Sequence, residues 1–465
     1  MKHLYFLFFI ILIFPLADHC ADAQIIHVPD DYTNIQDAIN ASDDADTVLV
    51  APGEYFENLN MHGKNILLAS HFIIGGDLEH INNTIINGSR PAHPDTASCI
   101  LIVSGENENC VVAGFTITGG TGTRWEDEHG PGNFFTEGGG LLLQASSPTI
   151  RNNVIRDNEA LTKNSRNLSA GGGGIRSGDG NPLIINNFIH HNMGRYGAGI
   201  VLNFSGAVIK NNIISSNTGG ADFGGAGIWL YGNADNPRII ENNTIVSNLS
   251  YDLGGGIRIW SSSAVLTNNI VRGNHARSGA QIHGSGTISY CNVEGGMPGE
   301  GNIDTPVSFI YPLLFLEDSD PSIDAGNPHA SFDDPEDPGN PGIPLFPAKG
   351  TLRNDLGAYG GPGAQQFPTP DFSGINLASI DNQPEFKIYP NPASDVITIV
   401  VSTSLKGPAH LEIINTLGQT IAHYQFTETD EPFTLSIREN NIQCGLYFIK
   451  LISNQSEMVD RLVVR

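Results

Sequence analysis

Six side chains suited to gripping a sugar ring occupy one recurring place in the chain's phrasing. Trp229 and Tyr231 follow Gly227-Ile228, Arg258 and Trp260 follow Gly256-Ile257, His283 follows Gln281-Ile282, and Arg176 follows Gly174-Ile175. Indole and phenol faces suit the apolar faces of sugars, and a guanidinium donates in a fixed fork to hydroxyl or carboxylate groups. Trp125 belongs to a long insertion that also holds Arg124, His129, Phe134 and Phe135, and it is placed to cap the same surface. These groups point to recognition more than to bond cleavage. A glycosidase ordinarily needs two carboxylates, about 5–10 Å apart, over its cleft. The first outward column, Leu142, Arg176, Val201, Trp229, Arg258 and His283, contains no acid, and neither does the second, Gln144, Gly178, Asn203, Tyr231, Trp260 and Ser285. Glu137, Asp222 and Asp252 stand only at loop ends. A lyase needs a base and neutralisation of a uronate, for which Arg258, His283, Arg176 and Lys163 are available. The adjacent His190-His191 reads as a solvated turn, and no metal site is expected.

What positions these residues is a phrase repeated six times between Gly138 and Gly296. Its first half is a glycine cluster with an aliphatic: Gly139-Gly140-Leu141, Gly173-Gly174-Ile175, Ala198-Gly199-Ile200, Ala226-Gly227-Ile228, Gly255-Gly256-Ile257 and the degraded Ala280-Gln281-Ile282. Its second half reads I-x-N-N-x-I-x-x-N, from Ile150, Ile184, Ile209, Ile240 and Leu266, with Ile288 to Val293 as a worn last copy. A period in the mid-twenties with variable insertions signals a solenoid. Each half is a short β-branched run bounded by Gly, Asn or Ser, hence a strand. Such strands close no sheet within one repeat; stacked copies do, pairing in parallel about 4.8 Å apart. The columns that result include Ile155, Ile189, Ile214, Ile245 and Val271. The Asn pairs have two uses: a sharp corner in left-handed geometry, which Asn tolerates, and a ladder of like amides one strand spacing apart.

The stretch from about 24 to 310 therefore resembles the right-handed parallel β-helix proteins of the pectin-lyase-like fold, and its paired phrases are similar to repeats of bacterial polymorphic outer-membrane proteins and adhesins. The resemblance implies an all-β chain, a solenoid of about ten coils and roughly 50 Å. It does not select an activity, because one fold hosts many. The opening is similar to that of pectin methylesterases, but their catalytic motifs do not follow, nor do those of polygalacturonases or pectate lyases.

Length and composition bound the rest. A chain of 465 residues suggests two to three domains. A formal charge of −26 excludes nucleic acid and anionic membrane as principal partners. Residues 1–23 read as a signal peptide: Lys2 and His3, an apolar run from Leu4 to Leu16, and the cleavage site Ala21-Asp22-Ala23. No later run is long and apolar enough to span a membrane as a helix, so the mature chain carries no transmembrane segment and is expected outside the cell or on its outer surface. Cys99 and Cys110 either pair or remain as buried thiols.

Residues 24–300 form the β-helix, opened by a short helix with Ile35, Ala38 and Ile39 on one face and Thr33 or Asn34 as cap. Insertions at Thr121 to Glu137, Glu159 to Ala170, Thr218 to Phe223, Leu249 to Leu253 and His275 to Ser278 recur at one corner and should stack as a wall beside the glycine-led strands. Either that wall leaves the aromatic and basic columns exposed, or it covers them and they are packing. Residues 301–365 are a closing segment rich in Pro, Asp and Gly; Asp333-Asp334-Pro335-Glu336-Asp337 offers hard oxygens to Ca²⁺ but lacks a full calcium-loop spacing. No other cofactor is expected. Residues 366–384 are a linker, and 385–465 alternate in short strands that suggest a small β-sandwich.

Within that last region Tyr389-Pro390-Asn391-Pro392-Ala393, Asn415-Thr416-Leu417-Gly418-Gln419, Gly445-Leu446-Tyr447 and Val463-Val464-Arg465 resemble the C-terminal sorting domain of the type IX secretion system. The resemblance implies engagement of that machinery through residues 385–465 and export to the surface of a Gram-negative cell. The expected function is binding of an extracellular polysaccharide or surface glycan. A polysaccharide lyase or glycoside hydrolase in the groove, and a structural adhesin or spacer, are the alternatives.

Overall fold

The computed structural model describes residues 23–369 apart from 165–167, 221, 234–235 and 311, and, in the C-terminal region, the strands and adjoining residues between 386 and 464. The expected signal peptide, most of the linker, Cys444, the turns at 416–419 and 454–456, and parts of the sorting motifs lie outside the described residues.

The repeats stack as a parallel β-helix. One sheet has ten strands, from Ile25–Val28 to Thr287–Ser289; a second has nine, from Gly53–Tyr55 to Asn292–Val293; a third has eight, from Leu59–Asn60 to Ile282–His283. At about 4.8 Å per step, ten strands give a rod of roughly 43 Å. The column Ile155, Ile189, Ile214, Ile245 and Val271 is in register and fully buried. The helix Ile35–Ala41 buries Ile35, Ala38 and Ile39 against the interior, with Asn34 as its N-cap.

The two residues of each Asn pair divide the two jobs. Asn152, Asn186, Asn211, Asn242 and Asn268 take φ between 51° and 60°, turning the corner from the first sheet to the second. Asn153, Asn187, Asn212, Asn243 and Asn269 point inward and are joined Nδ2 to Oδ1 at 3.0–3.1 Å. A second inward ladder, Asn158, Asn192, Asn217, Asn248 and Asn274, lies one corner further on. This ladder explains the glycines. A Cβ on Gly199 would stand 2.5 Å from the Gly227 carbonyl oxygen and 3.2 Å from Asn217 Nδ2, so the Asn amide needs a residue without a side chain beside it.

Residues beyond the last coil return along the outside of the second sheet. Leu314, Leu316, Leu356, Ala358, Tyr359 and Phe367 cover its outward Val154, Phe188, Ile213, Val246 and Ile270. The corner asparagines hold the returning chain: Asn268 Oδ1 accepts from Asn327 N, Asn242 Nδ2 donates to the Asp355 carbonyl, and Asn211 Nδ2 donates to the Ala358 and Gly360 carbonyls. The contact continues to Thr369, whose carbonyl accepts from Asn82.

The C-terminal unit, residues 371–465, holds a three-stranded antiparallel sheet and a four-stranded one. They share a core that includes Ile388, Ile397, Ile399, Leu411, Ile413, Ile449 and Leu462.

Candidate functional site

The outward face of the third sheet brings the recognition residues together. Leu142, Arg176, Val201, Trp229, Arg258 and His283 are successive register partners. Gln144, Gly178, Asn203, Tyr231 and Trp260 are the next such column, since their inward neighbours fill the core. The insertions rise beside this face as expected. Glu159–Ala160, Met193–Gly194, Thr218–Gly219 and Leu249–Ser250 form a fourth parallel sheet at that corner, and bridges at Thr136–Ser169, Leu249–His275 and Leu253–Ser278 extend it.

The columns are not uniformly exposed: the wall covers some of their residues and leaves others at the surface. Trp229 is 3% exposed because wall residue Tyr196 lies over it, ring centroids 4.5 Å apart. Arg176 is equally buried, its Nε 3.0 Å from Glu137 Oε2. Burial raises the Glu137 carboxyl while Arg176 pulls it back, and the paired carboxylate keeps the guanidinium charged. Tyr231, Trp260, Arg258 and His283 stay half-buried.

Around Trp229 the rings form a continuous network. Tyr231 stacks near it at 5.6 Å, Trp260 meets Tyr231 at 5.2 Å, and Phe223, 39% exposed, stacks on Trp260 at 5.2 Å. On the other side Phe204 meets Tyr231 at 5.3 Å, and His129 stacks on Phe204 at 3.7 Å. His129 also bonds Asp179 at 2.8 Å, beside a depression of about 280 Å³ lined with Asn181 and Asn233. The long insertion thus reaches the groove through His129. Trp125 sits in the insertion's hairpin, opposite Phe135, with its Nε1 donating to Glu128.

Tyr196, Phe204, Phe223 and Asp179 are absent from the sequence-derived columns: Tyr196 and Phe223 lie in the wall, while Asp179 and Phe204 turn the corner directly after their strands with φ of 50° and 52°. The one sequence signal for the three rings is recurrence of aromatic residues just before or after the glycine-led strands. At the far end an Arg258 Nη1–His283 Nδ1 contact makes the imidazole nitrogen an acceptor, and burial with the neighbouring guanidinium lowers the His283 pKa. His190 differs from the expected solvated turn: it is 8% exposed, tilted against Phe188 and bonded to His191, and burial holds its pKa well below the usual value.

Acidic groups near the groove are already engaged. Asp222 pairs with Arg195 at 2.9 Å and Asp252 with Arg277 at 2.6 Å. In the closing segment, Asp334 accepts from the Asp355 and Gly361 amides, Glu336 from Gly342, and Asp337 from Gly339 and Asn340. These carboxylates brace loop turns. Cys99, Cys110 and Cys291 are free and buried, with burial raising the first two thiols to about 12 and Cys291 to about 11.

Family models match both parts of the chain. Residues 81–297 match the family model described as right handed beta helix region, and residues 387–465 match the secretion system C-terminal sorting domain. No curated protein matches the chain. Among solved structures, a pectin methylesterase in complex with hexasaccharide VII superposes with a TM-score of 0.34 at 12% identity, covering 58% of this chain and 78% of that one. Among the described residues no helix is long and apolar enough to cross a membrane. The sorting domain marks the chain for export to the cell surface or release through the type IX system, and the chain is a right-handed parallel β-helix protein that carries this address at its C-terminus.

Proposed function

We propose that the groove along the third sheet binds an extracellular glycan, with Tyr231 and Trp260 as the stacking surfaces and Phe223 and Phe204 at its rims. The observation that carries this reading is the run of rings from His129 through Phe204, Tyr231 and Trp260 to Phe223, partly exposed over a buried Trp229 base. Arg258 adds donors for hydroxyl or carboxylate groups, while Trp229 and Arg176 support the floor from beneath and Trp125 stiffens the hairpin that delivers His129.

A glycan array with the exported chain tests this reading. Retention of a hit should fall about tenfold for Tyr231→Ala or Trp260→Ala, consistent with loss of an aromatic anchor. A hit unchanged in both variants removes the groove from recognition. The lyase alternative draws on one observation, the acceptor imidazole of His283 beside Arg258. Incubation with uronate polymers, followed by absorbance of unsaturated ends, separates it from binding alone.

A further inference from the structure

We propose that the C-terminal domain carries a transition-metal site made by His410, Glu412 and His423, suited to Zn²⁺. His410 and Glu412 are two residues apart on the strand Ala409–Asn415, so their side chains leave the same face. The opposite face of that strand is committed to the core through Leu411 and Ile413, both fully buried. On the adjacent antiparallel strand, Thr420–Phe426, His423 stands directly across from Glu412, while His410 faces Gln425. The two imidazoles therefore lie on a diagonal, ring centroids 5.4 Å apart at 67°. One ligand atom from each of the three side chains lies within 4.8 Å of the other two. Among the described residues, no other group of three His, Cys, Asp or Glu side chains meets this condition.

The donor set selects the ion. Two imidazole nitrogens and one carboxylate oxygen are a Zn²⁺ set, with bonds of about 2.0–2.2 Å in tetrahedral geometry. Those bonds place donors roughly 3.4 Å apart, so the side chains must draw in slightly around Cα positions that the strand pairing already fixes. His423 is exposed and His410 and Glu412 are half-buried, which permits that rotation. Ca²⁺ and Mg²⁺ are disfavoured, since they ask for an oxygen-rich shell and only Glu412 supplies oxygen. Three protein ligands leave a fourth position for water or for a group from another molecule. Lys450, across from Glu412 on the strand Gly445–Ser453, adds a nearby positive charge. That charge works against very tight binding. None of this depends on the glycan groove.

Titration of the full chain with Zn²⁺, against a chromophoric chelator, tests the site. The parent should bind one equivalent through this site, and His410→Ala/His423→Ala should weaken that equivalent at least tenfold, with Glu412→Gln intermediate. Acid should release the metal, because protons compete for the imidazole nitrogens. Identical Zn²⁺ isotherms for the parent and a folded double variant would overturn the proposal. Should the double variant lose its fold, Co²⁺ loading of the parent gives the answer without substitution: a visible d–d band displaced by Zn²⁺ supports the site, and absence of such a band sinks it.

Discussion

Asn217 donates from Nδ2 to Asn248 Oδ1 on the next coil at 3.0 Å, while its own Oδ1 accepts from both the backbone and side-chain amides of Asn192. Its Nδ2 also donates to the Ile189 carbonyl. All of these groups are cut off from water, so Asn217→Ala leaves the Asn192 backbone amide without an acceptor and takes one hydrogen bond each from Asn192 Nδ2, Asn248 Oδ1 and the Ile189 carbonyl. Such an orphan costs about 1–3 kcal/mol. We expect at least about 3 kcal/mol of lost stability, read as a lower midpoint in denaturant unfolding. Gly199→Ala should destabilise comparably, by driving a methyl against the Gly227 carbonyl and the Asn217 amide. A variant at Asn217 as stable as the parent contradicts the ladder's role.

The corner asparagines predict a different, local effect. Asn211 holds φ 51° and donates to the Ala358 and Gly360 carbonyls of the closing segment. Asn211→Gly keeps the corner geometry and removes only the two bonds. Hydrogen exchange should therefore quicken in residues 354–363 while the inner coils keep their protection. Uniform loss of protection along the rod is the contrary outcome.

Much of the rod was legible because its periodicities are enforced by stacking. Alternation along Ile228–Tyr231 and Ile257–Trp260 sets Trp229 over Arg258 and Tyr231 over Trp260, and any slip by one residue would expose the aliphatic columns. The Asn-Asn pair was legible as corner plus ladder for the same reason. Exposure was not legible. Whether Trp229 meets solvent depends on Tyr196, which sits in a loop that shares no period with the sheet. The course of residues 354–369 was also hidden, since their partners are corner asparagines far away in sequence and the segment has no repeat of its own. His190 misled for a related reason: its column neighbours are Arg156 and Ser215, yet the ring turns against Phe188.

Arg176 and Glu137 make a buried ion pair under the groove, each almost without exposure. Removing one partner strands the other charge in a dry setting, which costs about 3–5 kcal/mol. Glu137→Gln and Arg176→Met should each lower stability by about that amount. The double variant should recover most of the loss, because no lone charge remains. A thermodynamic cycle over the four proteins measures the coupling, and additive losses would show that the pair is not coupled. Glycan retention measured on the same proteins separates the floor's structural role from direct contact.

The closing segment should respond to pH through Asp334 and Asp355. Burial and the neighbouring Asp355 raise the Asp334 carboxyl to about 8, against the amides of Gly361 and Asp355 that favour its charged form. Burial likewise raises Asp355 to about 7. Both values exceed the roughly 3.9 of an unfolded aspartate, so between these limits the folded segment holds protons that the unfolded chain has released. The stabilising contribution is then fully present below about pH 4 and declines as pH rises through 7 and 8. Thermal unfolding or proteolysis of residues 322–369 should show weakening across that range. Asp334→Asn keeps an acceptor for the Asp355 and Gly361 amides but carries no charge at any pH, so its profile should be flatter on the alkaline side. If the parent's closing segment instead gained protection from pH 5 to 8, the two carboxyls would have to be ionised in the fold, with the backbone amides outweighing burial.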